Sequence, residues 1–199
     1  MHGLVNRAIQ CFVRDTYGAA TWEALAREGD LPLAGFEAMF VYDDAVTDRM
    51  LDAAVSVLGR PRDTVLEDLG TYLVSHPNVE TLRRLLRFGG ETFEEFVESL
   101  DDLPRRAALA LPELDLPALE VVPEDGRDTE LRVACRWPRA GFGHVLVGML
   151  RTLADDYGAL VLLDHEGWDG DAEWIRITVM SGAFSTGRPF RLAGSWALP

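Results

Sequence analysis

The residues able to do chemistry in this 199-residue chain are mostly carboxylates. Three adjacent pairs, Asp43-Asp44, Asp101-Asp102 and Asp155-Asp156, have the type that acid/base work or a hard cation requires. Neighbours on a helix point to different faces, so these pairs read as solvated surface. Asp169 and Asp171 flank Gly170 in a stretch, 164–171, that is similar to a calcium loop but lacks its terminal Glu; it reads as a solvated turn. His2, His76, His144 and His165 lie far apart, with no metal-ligand spacing, and each reads as structural. Cys11 and Cys135 are the only cysteines, which excludes a disulfide scaffold and leads us to expect a reduced, cytoplasmic protein. The sequence contains no P-loop, no His-Glu-x-x-His, no Gly-x-Ser-x-Gly and no Gly-x-Gly-x-x-Gly after a strand. A protein that is not an enzyme is the expectation.

Composition narrows the partners. With 48% apolar and 26% charged residues the chain can bury a real core. All 19 cations are arginine and face 33 acids, for a net charge of −14, which argues against nucleic acid as a partner. Arg83, Arg84 and Arg87 form the one basic cluster and read as a solvated helix face. The apolar runs 131–135 and 159–163 fall far short of the ~20 residues that cross a bilayer, so no membrane span is expected. Leu4, Val5, Ala8, Ile9 and Phe12 repeat at helical spacing, unlike a signal peptide.

The elements that must position these groups come helices first and sheet second. An opening helix ends near Tyr17 and Gly18, and a second, 21–27, starts at a capping Thr21. Residues 47–58 put Met50, Leu51, Ala54, Val55 and Leu58 on one face and stop at Gly59. Thr64 with Glu67, and Thr92 with Glu95, have the capping-box spacing. Between them, 79–88 reads as a helix closed by Gly89 and Gly90. The helix carrying Phe93, Phe96, Val97, Leu100 and Leu103 must break or kink at Pro104. Residues 118–122 and 131–135, around a turn at 123–126, read as a hairpin. A helix over 142–157 and strands at 159–164 and 174–179 follow. The pattern predicts an α+β domain: a helical N-terminal part of about 1–112, a sheet-containing part of about 113–179 with a packed helix, and a C-terminal tail, 180–199.

A series of motifs then falls in order: Met1-His2-Gly3-Leu4-Val5-Asn6, Asp15-Thr16-Tyr17-Gly18 before Trp22, Tyr42-Asp43-Asp44, Phe93-Glu94-Glu95-Phe96-Val97-Glu98-Ser99-Leu100-Asp101, Leu111-Pro112-Glu113-Leu114, Gly141-Phe142 and Val147-Gly148-Met149. Together they resemble the haem nitric oxide/oxygen binding (H-NOX, HNOB) domains, among them the haem domain of soluble guanylate cyclase, from Met1 to about residue 179. The resemblance implies a helical subdomain, an antiparallel sheet crossed by a helix, and a b-type haem between them that senses nitric oxide or oxygen. It also implies a signalling partner in trans, such as a histidine kinase, a cyclase or a cyclic-di-GMP enzyme.

Carried over residue by residue, the family's haem-ligating histidine falls on Pro104, which has no lone pair for iron. The Tyr-x-Ser-x-Arg run that grips the haem propionates falls on Cys135, Trp137 and Arg139, of which Arg139 alone keeps its type. Pro117 matches the proline that packs against the porphyrin. Weak or absent haem is therefore expected. The readings that remain are a gas sensor with a substitute iron ligand, and a haem-free domain. In the latter the cavity is filled by side chains such as Trp137, or takes another apolar ligand, and the domain serves as a protein-interaction or signalling module.

Overall fold

The computed structural model describes residues 1–110, 114–124 and 130–181; Leu111, Pro112 and Glu113, the turn residues Asp125 and Gly126, and 182–199 of the expected tail lie outside the described residues. Seven helices lead: α1 (Gly3–Tyr17), α2 (Ala19–Glu28), α3 (Asp44–Leu58), α4 (Arg62–Ser75), α5 (Glu80–Arg87), α6 (Phe93–Glu98) and α7 (Leu103–Ala110). Then come β1 (Ala118–Pro123), β2 (Glu130–Arg136), α8 (Phe142–Tyr157), β3 (Leu160–Asp169) and β4 (Ala172–Ser181). The sheet runs β1-β2-β4-β3 with every pairing antiparallel. This is the expected α+β architecture.

Start and stop signals explain most boundaries. Thr92 and Glu95 form a complete capping box at α6. Asp43 caps α3 by accepting from the Ala45 amide at 2.9 Å, so this helix starts before the expected Thr47, whose hydroxyl instead donates to Asn6 in the core at 2.7 Å. Two cap expectations are corrected. Helix α2 begins at Ala19, and the Thr21 hydroxyl bonds back to the Tyr17 carbonyl. Helix α4 begins at Arg62 after Pro61, with no side-chain cap, so Thr64 lies inside it. The fixed φ of Pro61 suffices to turn the chain into the helix. The break at Pro104 is present: after α6 the chain tightens into a 3-10 turn, Ser99–Asp102, and Pro104 occupies the first turn of α7, where a missing amide hydrogen costs nothing. The expected turn over 164–171 is also corrected. Strands β3 and β4 extend to Asp169 and from Ala172, leaving a tight turn at Gly170, whose φ of 66° suits glycine.

Helix α8 is the centre of the molecule. Val145, Leu146, Met149, Leu150 and Leu153 are buried, and so are Gly148 and Asp156, because α8 lies between α4 and the sheet. On the sheet it meets the inward row of Leu131, Val133, Cys135, Ile175 and Ile177. On α4 the approach is backbone to backbone. A Cβ on Gly70 would stand 2.0 Å from the Val145 carbonyl oxygen, and one on Gly148 would stand 2.0 Å from that of Glu67. The core runs on without interruption from Phe12 and Trp22 through Phe93, Phe96 and Leu100 to Ile177.

Of the arginine cluster Arg84 is exposed, as expected of a solvated face, but Arg83 and Arg87 are not. Arg83 forms a two-armed pair with Asp156, which is 3% exposed, and the Arg87 guanidinium lies 3.7 Å above the Tyr157 ring. Together they fasten α5 to the end of α8.

Neither helix can retreat without emptying its other face, so we predict that Gly70→Ala and Gly148→Ala each destabilise the fold by about 2 kcal/mol or more. Urea denaturation reads this as a lower midpoint; unchanged midpoints would show that the two helices separate easily.

Candidate functional site

The structure distributes the residues that the family resemblance singles out. Pro104 is half-buried in α7, and the preceding turn is bound to the sheet: Asp101 Oδ1 accepts from the Val121 amide at 2.6 Å. Pro117 is buried at the entrance to β1. Cys135 is buried in β2, facing the core, where burial, with a contribution from the Glu173 charge, pushes its thiol up to about 12. It is thus a neutral, hydrogen-bearing sulfur. Cys11 is likewise a free thiol.

Trp137 does not fill the core. Its ring meets Phe142 edge-on with centroids 5.3 Å apart, and its Nε1 points to Asp115 at 3.4 Å. With Arg136, Pro138, Trp168 and Asp171 it lines a surface cleft of about 410 Å³. Arg136 is bound there to Glu120 and Asp171. The only family-typed clamp residue, Arg139, ion-pairs with Asp44 and places Nη1 3.2 Å from the Met1 sulfur. The α-amino group of Met1 donates to Asp44 at 2.6 Å and to the Tyr42 carbonyl at 2.7 Å. That hydrogen bond above all, and then the nearby Arg139 charge, hold the Asp44 carboxyl below its ordinary range. Arg139 therefore closes a seam between the N-terminus, the end of the 33–41 loop and the sheet domain.

An iron-bound haem takes an axial donor and cations for its two propionates. The described histidines are occupied elsewhere. His2 caps α1 through Nδ1, which accepts from the Leu4 amide. His76 stacks on Tyr72 with centroids 4.9 Å apart, beside Asp15.

The remaining two make a site that sequence reasoning missed. His144, in the first turn of α8, stacks on His165 of β3 with centroids 3.9 Å apart and planes 20° from parallel. His165 Nε2 is 3.1 Å from Glu173 Oε2. Glu173, 2% exposed, accepts from the Gly143 amide at 2.8 Å and from the Gly141 amide, and so caps α8 from the neighbouring sheet. Burial alone would raise this carboxyl, but the His165 contact and the two amides outweigh it and hold it below its ordinary value. The rings line a second cleft of about 230 Å³ with Arg62, Asp63, Leu66, Ala140, Gly141, Trp168 and Glu173. The one sequence signal for it is the Gly141-Phe142-Gly143 spacing. A Cβ on Gly143 would lie 2.4 Å from Glu173 Oε2 and 2.6 Å from His165 Nε2, so Gly143 makes room for the cap. Among the described residues no group of three or more His, Cys, Asp or Glu has the geometry to hold a metal ion, and no helix is long and apolar enough to cross a membrane.

Comparison with known proteins matches residues 2–165 to the family described as Haem-NO-binding. Among characterised relatives, soluble guanylate cyclase gcy-31 of Caenorhabditis elegans is 24% identical over 156 residues, which is 78% of this chain and 22% of that protein. Soluble guanylate cyclase 89Db of Drosophila melanogaster is 21% identical over 160 residues, 80% of this chain and 24% of that protein. The chain thus spans about a quarter of the length of these relatives. Among solved structures, an H-NOX protein from S. oneidensis in the Fe(II)NO ligation state superposes with a TM-score of 0.74 at 16% identity, over 91% of this chain and 100% of that one. An Fe(II) unliganded H-NOX protein from K. algicida gives 0.75 at 15% identity, over 94% and 100%. At these identities the structures show a shared fold.

Glu173→Gln would keep one acceptor oxygen but turn an amide donor toward the other of the Gly141 and Gly143 N–H groups, and we predict a loss of about 2 kcal/mol. Because the folded carboxyl lies below the ordinary value of 4.5, its contribution is complete above that value and fades as pH falls through the lowered one. Denaturation from pH 5 to pH 3 should show a gap between wild type and variant that narrows as the pH falls. A constant gap down to pH 3 would refute the charged cap.

Proposed function

Because this chain belongs to the Haem-NO-binding family, we propose that it is a regulatory domain of that family that works without stably held haem and signals by contact with a partner protein. The partner is a signalling enzyme acting in trans, of the histidine kinase, cyclase or cyclic-di-GMP class. The cyclase activity named for the relatives belongs to proteins about four times as long, and the reading assigns no catalysis to this domain.

The observation that carries the reading is Pro104. Its ring nitrogen is part of a tertiary amide and has no lone pair for iron, and its flanking Arg105 and Arg106 are not haem ligands. Two further observations support it. The Arg139 guanidinium is engaged by Asp44, so gripping a propionate would first require breaking an ion pair. The Cys135 thiol is buried and neutral, whereas a cysteine that ligates iron is a thiolate. What remains for a porphyrin is apolar burial at ~25 cal/mol per Å². Phe93, Phe96 and Leu100, each about 1% exposed, already take much of that burial for the protein itself.

The test is an absorption spectrum of the purified protein after incubation with one equivalent of haemin, before and after dithionite and nitric oxide. We expect no stoichiometric Soret band. A stoichiometric band that shifts with nitric oxide would overturn the haem-free reading. Pro104→His alone is expected to restore at most a small fraction of haem, because it supplies a ligand but frees neither Arg139 nor the packed core. Full occupancy in this variant would show an open cavity and would overturn the packing part of the argument.

A further inference from the structure

The pair of stacked imidazoles at the start of α8 has no part in the reading above, and its surroundings are unusual for two histidines. Both ring nitrogens of His144 face carboxylates of α4: Nε2 lies 3.6 Å from Asp63 Oδ1, and Nδ1 lies 3.5 Å from Glu67 Oε1. Neither is a formed hydrogen bond, and Nδ1 is buried without a partner. Glu67 is shared with Arg151 of α8 at 2.9 Å. On the other side, His165 Nε2 meets Glu173, which stays charged because its carboxyl is held low. Arg62 completes the ring of charges, but its two amino groups are engaged by Asp52 at 2.7 Å and Asp48 at 3.1 Å. From the sheet the remaining titratable neighbour is Cys135, across β2 and β4 from Glu173, and its thiol is neutral. Three carboxylates thus surround two rings, and the cleft opens the pair to water.

We propose that His144 and His165 form a one-proton switch that fastens the helical subdomain to the sheet domain. One proton on the pair gives His144 a donor at each nitrogen, so it can draw Asp63 and Glu67 into charge-assisted hydrogen bonds. A second proton would place two cations in a 3.9 Å stack, which their repulsion opposes. The close stack and the carboxylates on both of its sides are what couple the two rings. The first step joins α4 to α8 and, through His165 and Glu173, to β3 and β4. Imidazole is the side chain suited to such a change near neutral pH. The switch needs no haem and acts on the seam between the two parts of the domain, so it stands whether or not the proposed function holds.

The test follows the ring Cε1–H signals of the full chain by NMR from pH 8.5 to pH 5, together with amide hydrogen exchange along the first turns of α4 and α8. In wild type, both rings should respond to the same first step, and exchange corrected for intrinsic rates should slow about tenfold as that step completes. In His165→Gln the His144 signal should collapse to a single step. Asp63→Asn, at a side chain 68% exposed and so harmless to the fold, should remove a large part of the added protection and leave Glu67 to supply the rest. Independent single-step titration of the two rings, or exchange that does not change with pH at the seam, would overturn the proposal.

Discussion

Everything in this fold depends on two helix backbones touching. Helix α8 can reach the sheet with one side and α4 with the other only because Gly70 and Gly148 leave room for carbonyl oxygens at the crossing. Once α8 is enclosed on both sides, its polar ends become the problem. Its first amides cannot all reach water, so a carboxylate from the sheet, Glu173, meets those of Gly141 and Gly143. Its last turn carries a buried Asp156, which requires the two-armed Arg83 of α5. The close crossing and the two charged closures form one chain of consequences, from a missing side chain to the pairing of distant elements.

The same logic governs the cations. A chain whose only cations are arginine, set against a large excess of acid, uses the guanidinium fork as internal mortar. Arg132 and Arg176 both bind Glu166 across the open face of the sheet, and Arg132 also covers the Trp174 ring at 4.3 Å. Arg139 follows this pattern, joining the N-terminal segment to the sheet domain through Asp44. Asp44 itself is exposed, and exposed pairs contribute little stability.

Much of this was legible in the sequence because it is local. The helix over residues 142–157 appears where its apolar period and Gly158 put it, and Thr92 and Glu95 build the capping box that their spacing promised. The family motifs led to the correct fold although the structural relatives share only about 15% of residues. What failed was either local competition or distance. Thr64 had the spacing of a cap, but Pro61 had already started the helix, leaving Glu67 free to face His144 and Arg151. Arg83, read as surface, found its partner 73 residues away. Nothing in a linear pattern announces that His144 and His165 stack, since they belong to a helix and a strand whose contact is decided by the sheet register.

The register carries one step further. Cys135 and Glu173 are directly paired neighbours on β2 and β4, and both point toward α8. The family resemblance puts a tyrosine at the first of these positions, a phenol that would reach outward to a propionate. A thiol is short and apolar, and beside it the Glu173 carboxylate meets the helix amides. In this chain the anion near the start of α8 is built into the protein. The register thus sets the cap: because Glu173 stands opposite Cys135 on the face turned to α8, one buried carboxylate meets the Gly141 and Gly143 amides and His165 at once.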